Sequence, residues 1–274
     1  APSDSKLVVR LVRDGAIYYR LPMPKKSWWA LIHILKLRQI IEQHQPDIIH
    51  IHSRTPAWVL YWAMHSFPND KRPKIISSLY GFYPVNSYSK ALFHVDLLIS
   101  ASKSIDKHFN KIFEKIKPEK IDKSIKLPDI ICVPRGVDVR KYPYRHHSSV
   151  HWLHQTFTQF PELEHKKWLV FPTPIGPEYG QEWLIDILGN LQEKFPKIHA
   201  IIMDDDPTAR IHQCVFYEDF VQRLHTLGLQ DRVSFIGKNP PDMREWLSSA
   251  NIVLSLANHP ESIGMTALQA IHLG

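Results

Sequence analysis

The chain has 274 residues, of which 44% are hydrophobic and 22% charged, a composition typical of a globular protein with room for two α/β domains. Its longest apolar run, residues 57–64, is far shorter than the ~20 residues of a membrane-spanning helix. Residues 1–15 lack the apolar segment of a secretory signal. Two cysteines in apolar surroundings indicate buried thiols and no disulfide framework. We therefore expect a cytoplasmic protein.

The net charge of +7 is unevenly distributed. Residues 1–146 contain 25 Lys and Arg against 12 Asp and Glu, a net charge of +13. Residues 147–274 contain 9 against 15, a net charge of −6. A basic half joined to an acidic half predicts two domains, of which the first meets an anionic partner.

The first half alternates short apolar, β-branched runs with helical patterns. The runs predict strands at residues 15–22, 47–53, 74–80, 95–101 and 129–136, and the patterns predict helices at residues 29–45, 57–67 and 102–117. In the last helix, Ile105, Phe109 and Ile112 form an apolar face. Alternation of this kind is typical of a parallel sheet covered by helices.

The second half repeats the alternation. Strands are predicted at residues 166–173, 197–206, 232–238 and 251–257, and helices at residues 182–195, 217–228 and 243–250. Pro, Tyr and a His/Ser cluster interrupt the periodicity at residues 142–149. The sequence therefore predicts an α/β protein of two Rossmann-like domains, residues 1–146 and 147–274.

Functional residues of such domains lie at the carboxyl ends of the parallel strands, where loops meet helix N-termini. In the first half this rule selects Ser53, Arg54, Tyr80, Gly81, Ser100, Ser102 and residues 135–138. In the second half it selects residues 173–180, 204–206, 237–238 and 258–264. A cleft between the two domains is the expected ligand site.

Six segments, taken in order and spacing, resemble one known family. They are PDIIHIHSRTPAW, ISASKSI, VPRGVD, YGQEWLIDIL, LGLQDRVSFIG and PESIGMTALQA. The chain resembles the retaining family-4 (group 1) glycosyltransferases of GT-B fold, many of which build bacterial lipopolysaccharide. The resemblance implies that a sugar passes with retention from a nucleotide sugar to a glycolipid or polysaccharide acceptor. It implies no metal and no other cofactor.

The resemblance also implies roles for single residues. Glu261 matches the carboxylate that contacts the donor sugar, and Gly264 and Met265 begin the helix whose N–H groups meet the diphosphate. Gln269 stands where a second acid contacts the ribose. The other positions are Gly176 and Lys238 on the donor side, Tyr80 as a catalytic candidate, Ser53, Arg54 and Gly81 on the acceptor side, and Arg135 and Asp138 between the domains.

Four cleft positions depart from the family pattern. Pro174 and Tyr179 replace an Arg and a Lys that hold the diphosphate, Tyr80 replaces a His, and Gln269 replaces an acid. At ~1.5–3 kcal/mol per charged hydrogen bond, losing both cations weakens binding by about 3–6 kcal/mol. A catalytically impaired binding or assembly module is therefore the second hypothesis. A nucleic-acid binder is a weaker third, because no recognisable module accompanies the basic charge.

The family's first strand and its last strand and helix have no counterpart in this sequence. On the resemblance, the chain is expected to be a fragment or a shortened descendant, truncated at both ends.

Lysines recur every four residues on the helix predicted at 102–117, at Lys103, Lys107, Lys111 and Lys115. A solvated helix face accounts for this row, and docking on anionic lipid at the inner face of the cytoplasmic membrane is the functional alternative. Two groups have spacings found in metal sites, residues 204–206 and His147, His151 and His154. A loop that ends a strand and coincidence explain them better, and no metal site is predicted.

Overall fold

The computed structural model describes residues 6–21, 28–65, 67–68, 71–84, 89, 91–115, 128–203, 211–237, 242–258 and 264–274. The chain divides into two compact units, Ala1–Pro134 (unit 1) and Arg135–Gly274 (unit 2). In the described residues, each unit has one four-stranded sheet whose paired strands are all parallel. Helices flank both sheets. The predicted α/β class with two Rossmann-like parallel sheets is confirmed.

The sheet of unit 1 has the order β1-β2-β3-β4. Its strands are β1 (Ile48–Ile51), β2 (Lys74–Leu79), β3 (Leu97–Ser100) and β4 (Asp129–Cys132). The helices are α1 (Lys6–Arg13), α2 (Ile34–His44), α3 (Arg54–Met64) and α4 (Lys103–Lys115), with short 3-10 turns at Trp28–His33 and Ala91–Phe93. Sequential parallel strands joined by helices require crossover connections, which accounts for the length of chain between them.

The apolar faces of α3 and α4 form the core of unit 1. Leu60 of α3 and Phe109 of α4 join Leu79 and Leu98 of the sheet in one buried cluster. Ile105 is fully buried on the same helix face as Phe109. Ile105 and Phe109 of the predicted apolar face of α4 are thus against the core, and the lysines at 103, 107 and 111 are exposed. The side chain of Ile112 lies outside the described residues. The side chain of Lys115 lies outside the described residues.

Residues 15–22 differ from the prediction. Residues 16–21 contain no strand, and Ile17 is 69% exposed. A strand needs a neighbour for its backbone groups, and within the described ranges this segment pairs with none. A short apolar run alone was therefore not sufficient to predict a strand here.

The sheet of unit 2 has the order β7-β6-β5-β8. Its strands are β5 (Lys167–Phe171), β6 (Ile198–Met203), β7 (Val233–Ile236) and β8 (Ile252–Val253). The helices are α5 (Val150–Gln159), α6 (Gln181–Leu191), α7 (Ile211–Thr226), α8 (Met243–Ser249) and α9 (Met265–Leu273). Two buried clusters cover the two faces of this sheet, one built around Phe171 and Leu184, the other around Trp168 and Trp246.

Residues 135–146 pack within unit 2, whereas the sequence placed them in the first domain. Tyr142 is buried in the cluster of Trp168, and the Arg145 N–H donates to the Leu273 carbonyl at 2.8 Å. The His146 ring lies 2.9 Å from the carboxylate of Glu245, which is 8% exposed. Burial alone raises the pKa of Glu245, but hydrogen bonds from Arg244 and His146 outweigh it and lower the pKa. The interrupted periodicity at 142–149 therefore lies within unit 2, which begins at Arg135.

Candidate functional site

The loop of residues 172–180 follows β5 and is closed by a buried glutamine. Gln181 is fully buried, its Nε2 donates to the Pro174 carbonyl at 2.6 Å, and its Oε1 accepts from the Gly176 N–H at 3.4 Å. Gln181 is the first residue of α6, so the helix fixes the loop that precedes it. The Gly176 N–H consequently points toward the side-chain amide of Gln181.

Gly180 brings this loop into direct contact with the segment after β8. Its φ is +79°, and a Cβ at this position would lie 1.9 Å from the Leu256 carbonyl oxygen. Only glycine combines a left-handed conformation with so close a backbone approach. The contact holds the N-terminus of α6 against residues 254–258.

Asn258 ties the two loops together with both its side chain and its backbone. Its Nδ2 donates to the Pro177 carbonyl at 2.9 Å, and its Oδ1 accepts from Trp183 Nε1 at 3.0 Å. Its backbone N–H donates to the Glu178 carbonyl at 3.1 Å. Residues 172–180 and the start of the segment 258–264 therefore form one hydrogen-bonded unit at the carboxyl ends of the neighbouring strands β5 and β8.

We expect alanine at Asn258 to loosen this unit. The substitution removes two side-chain hydrogen bonds, at about 1 kcal/mol each, so the free energy of unfolding should fall by roughly 1–2 kcal/mol in urea titrations. Asn190 is the matched control, because it is an exposed asparagine of α6 whose Nδ2 donates only locally, to the Asp186 carbonyl. Equal losses for Asn258→Ala and Asn190→Ala would contradict the role assigned to Asn258.

Gly264 precedes α9, as the sequence predicts. It is the N-cap, and its carbonyl accepts from the Leu268 N–H at 2.9 Å. Met265 and Gln269 are half-buried and one helical turn apart. Glu261, which stands just before this helix, and Lys238, after β7, both lie outside the described residues.

The two positions that depart from a cationic pattern have structural roles here. The ring of Tyr179 packs against the buried cluster of Phe171, and its N–H donates to the Gly176 carbonyl at 3.0 Å. Pro174 has no N–H and its carbonyl is bonded to Gln181. Neither residue supplies a charge to this edge of the sheet.

In unit 1, side chains from two neighbouring strands meet in pairs at the carboxyl edge of the sheet. We call His50, His52, Ser78 and Tyr80 the edge cluster. His50 Nε2 lies 2.7 Å from Ser78 Oγ, and His52 Nδ1 lies 3.2 Å from the Tyr80 hydroxyl, with the His52 and Tyr80 rings stacked at 6.0 Å. Burial, and then the neighbouring His52, lower the pKa of His50. His50 is therefore a neutral partner of Ser78 near neutral pH.

Arg54 and Tyr83 extend this cluster toward α4. The Arg54 guanidinium lies 4.8 Å from the centre of the Tyr83 ring, a cation–π distance. The Tyr83 carbonyl lies 3.3 Å from His108 Nε2 of α4. Burial raises the pKa of Tyr83 more than Arg54 lowers it. Arg54 is thus held in place by a neutral phenol ring.

The remaining predicted residues lie near these groups or in turns. Ser53 is the exposed N-cap of α3 and makes no side-chain bond to its helix. The Gly81 carbonyl accepts from the Tyr83 N–H at 3.1 Å. Asp138 Oδ1 accepts from the Arg140 N–H at 3.0 Å, so this residue shapes a turn, and the preceding Arg135 is exposed.

His50, His52 and Gln181 were not singled out by the sequence analysis. The two histidines alternate in DIIHIHS, and residues two apart on a strand share one face. That spacing is a signal that could have identified them. Gln181 carries no comparable signal, because its partners are backbone groups of the preceding loop.

Within the part of the chain that the structure describes, no three His, Cys, Asp or Glu side chains are arranged to hold a metal ion. His151 and His154 lie on α5, but His147 precedes that helix, so the three do not share a helix face. Residues 204–206 lie outside the described part. No described helix has the length and apolar character needed to cross a bilayer.

Two sequence families match the chain. The family described as Glycosyltransferase Family 4 matches residues 2–141, which is more than half of the chain. The family described as Glycosyl transferases group 1 matches residues 155–274. Among curated protein sequences, none matches the chain significantly.

Solved structures with the same fold come from the same class of enzyme. A glycosyltransferase from Rickettsia africae superposes with a TM-score of 0.76 at 18% identity, over 99% of this chain and 67% of the other. Anabaena HepE in complex with UDP-glucose gives 0.72 at 17% identity, over 98% and 68%. The lipopolysaccharide outer core galactosyltransferase WaaB gives 0.57 at 14% identity, over 91% and 60%.

The chain spans 60–68% of the lengths of these three proteins. At such low identity the superpositions show a shared fold, the GT-B type with two Rossmann-like domains. The sequence matches cover both units of this chain in the order of that fold. The chain therefore belongs to the family 4 and group 1 glycosyltransferases.

Proposed function

We propose that the chain forms the donor and acceptor sites of a retaining glycosyltransferase, which moves a hexose from a uridine diphosphate sugar to a glycolipid or polysaccharide acceptor. The observation that carries the proposal is the hydrogen-bonded unit made by residues 172–180 and Asn258. It joins the two loops that hold the donor in the family, beside the helix that begins after Gly264.

The proposal assigns the donor side to unit 2. Glu261 contacts the sugar hydroxyls, and the N–H groups that follow Gly264, beginning with Met265, meet the diphosphate, where the positive end of α9 favours negative charge. Gln269 contacts the ribose through its amide oxygen. Gly176 shapes the loop, and Lys238 supplies the cation that Pro174 and Tyr179 do not.

Unit 1 is assigned the acceptor. Tyr80, Arg54, Ser53 and Gly81 stand where the acceptor hydroxyl would enter, and Tyr80 is the candidate catalytic group of this side. No metal and no other cofactor take part, because helix ends and cations can stabilise a leaving diphosphate. Arg135 and Asp138 belong to the segment that joins the two sides.

The choice of donor and acceptor is supported by the similar structures. Anabaena HepE was crystallised with UDP and with UDP-glucose, and WaaB is an outer core galactosyltransferase of lipopolysaccharide. The peripheral attachment of unit 1 to anionic lipid through the lysine row of α4 stays a prediction. Sedimentation of the chain with phosphatidylglycerol vesicles, but not with phosphatidylcholine vesicles, would support it.

Calorimetric titration with UDP-, GDP- and ADP-glucose tests the proposed donor. We expect UDP-glucose to bind more tightly than the other two, and Glu261→Gln to weaken that binding about 10- to 100-fold, because a charged hydrogen bond contributes about 1.5–3 kcal/mol. Glu182→Gln, on the exposed start of α6, is the matched control and should bind as before. Absence of binding by all three nucleotide sugars would exclude the proposal.

A second candidate function is supported by the neutral character of residues 172–180. Tyr179 packs against the core, and the Pro174 carbonyl accepts from Gln181. A catalytically impaired relative that binds the donor without turning it over fits the same geometry. The two functions differ in one measurement. UDP-glucose binding without release of UDP, in the presence of lipid-linked acceptors, would favour the binding module.

A further inference from the structure

The amino edge of the sheet of unit 1 carries charged residues of both signs. Three carboxylates stand at the amino ends of strands, at Asp47, Asp96 and Asp129. Asp96 is engaged there, since its Oδ2 accepts from the Ile75 N–H at 2.8 Å and its Oδ1 lies 3.4 Å from Lys74 Nζ. Lys74 begins β2 at the same edge, and Lys71 and Arg72 precede it, so both signs of charge are present there.

At the carboxyl edge, cations stand at the starts of two helices, and Asp106 lies in the first turn of the second of them. α3 begins at Arg54 directly after β1, and α4 begins at Lys103 directly after β3, so two helix N-termini and two cations stand at this edge. Strand β2 lies between them and ends before Tyr80. In the described loops after β1, β2 and β3, residues 52–53, 80–84 and 101–102, no Asp or Glu is present.

The spacing of these groups suits a small ligand. Neighbouring strands lie about 4.8 Å apart, so β1 and β3, which precede Arg54 and Lys103, lie roughly 10 Å apart on either side of β2. Tyr80 is 38% exposed and stacked on the exposed His52. An aromatic face on the same edge of the sheet as a held guanidinium can contact a sugar ring while the guanidinium contacts an attached anionic group.

The contact with Tyr83 orients the Arg54 guanidinium for binding an anionic group. Guanidinium planes pair with phosphate and carboxylate through two parallel N–H donors. The Tyr83 ring lies against the Arg54 guanidinium, and α4 braces the Tyr83 carbonyl through His108. The Arg54 side chain is thus immobilised before any ligand arrives, which reduces the entropy lost on binding.

We propose that the acceptor is an anionic sugar, whose phosphate or carboxylate is bound by Arg54 at the carboxyl edge of the first sheet while its ring rests on Tyr80 and His52. The inference depends on the proposed function, because it names the class of acceptor that unit 1 receives. It makes Arg54 a specificity-determining residue. Lys103 adds positive charge to the same edge.

Binding of three probes to the full chain tests this acceptor class. We expect glucose 6-phosphate or glucuronate to bind at least tenfold more tightly than glucose in NMR titrations, and to bind more weakly as NaCl is raised. A preference for glucose 6-phosphate would identify a phosphorylated acceptor, and a preference for glucuronate would identify a uronic acid.

Variants of Arg54 and Lys74 test where the anionic sugars bind. Arg54→Gln should remove at least tenfold of the anionic preference, and Arg54→Lys, which keeps the charge but loses the fork of donors, should retain part of it. Lys74→Gln makes the same charge change at the opposite edge of the sheet and should bind as the unaltered chain does. Equal binding of the three sugars, or an anionic preference that survives Arg54→Gln in a variant with an unchanged NMR spectrum, overturns the inference.

UDP-glucose binding by the unaltered chain is measured in parallel. If UDP-glucose binds and the anionic sugars show no preference, the acceptor class is wrong while the proposed function stands. If UDP-glucose fails to bind and the anionic sugars bind through Arg54, the proposed function is wrong and the anionic site of unit 1 remains.

Discussion

Replacement of Gly180 by alanine is expected to lower the free energy of unfolding of unit 2 by about 2–5 kcal/mol. The left-handed φ of +79° costs an alanine about 1–2 kcal/mol. Its Cβ would also lie 1.9 Å from the Leu256 carbonyl oxygen, a backbone atom, so the start of α6 and residues 254–258 must separate. Relief of such an overlap costs a further ~1–3 kcal/mol. Urea titration followed by tryptophan fluorescence measures the loss.

Gly189→Ala is the matched control in the same helix. A Cβ at Gly189 meets nothing within 4 Å, and the residue lies inside α6. Alanine there should stabilise the helix by about 0.5–1 kcal/mol. The two substitutions therefore have opposite expected signs, and a Gly180→Ala variant as stable as Gly189→Ala would contradict the close approach of the two loops.

The contact between Gly180 and Leu256 should also affect donor binding. Separation of α6 from residues 254–258 displaces the hydrogen bonds of Asn258 to Pro177 and Glu178. We expect UDP-glucose affinity to fall in Gly180→Ala even at temperatures where the variant is fully folded. Stability and ligand affinity thus report the same structural feature independently.

Hydrophobic periodicity predicted the strands that are buried along their length. β6 was predicted at 197–206 and spans 198–203, where every residue after Ile198 is buried. β8 was predicted at 251–257 but has only Ile252–Val253, since the chain leaves β5 soon after the Leu254 N–H donates to the Val170 carbonyl. The length of an edge strand depends on its partner, which its own sequence does not contain.

The candidate site was predictable to the level of loops. Of the segments that the rule for parallel strands selected, residues 173–180 follow β5 and Tyr80 follows β2 directly, whereas most of 258–264 lies outside the described residues. The links among them were not predictable, because Asn258 and Pro177 are 81 positions apart and their contact is between a side chain and a backbone carbonyl. The spacing of residues along the sequence therefore does not indicate this hydrogen bond.

Unit 2 is expected to lose stability as the pH falls from 6.5 toward 4, because of one buried histidine. His199 of β6 is 1% exposed, and its Nε2 lies 2.8 Å from Ser234 Oγ, which in turn donates to Glu162 Oε1 at 2.6 Å. The serine has one proton, so His199 Nε2 carries the proton toward it. The Nδ1 atom is buried with no hydrogen-bond partner among the described residues.

The environment of the His199 ring explains why stability falls as the pH falls. The pKa of His199 is lowered from 6.5 to about 4, chiefly by burial; the Glu162 carboxylate opposes this shift, and Lys166 and Arg232 add to it. Above pH 6.5 the ring is neutral in the folded and the unfolded state, so its titration does not change the free energy of unfolding. Between pH 6.5 and about 4 the unfolded chain binds a proton that the folded chain does not, so the free energy of unfolding decreases as the pH falls.

The expected loss on going from pH 7 to pH 4 is about 3 kcal/mol, since each pKa unit corresponds to about 1.4 kcal/mol. Urea titrations of the unaltered chain and of His199→Gln separate this effect from the titration of carboxylates, which both share. The glutamine amide can still donate to Ser234 but takes up no proton, so the stability of the variant should fall less steeply between pH 7 and 4. His225→Gln, at an exposed position of α7, should follow the unaltered chain. Parallel curves for His199→Gln and the unaltered chain would show that His199 titrates alike in the folded and unfolded states.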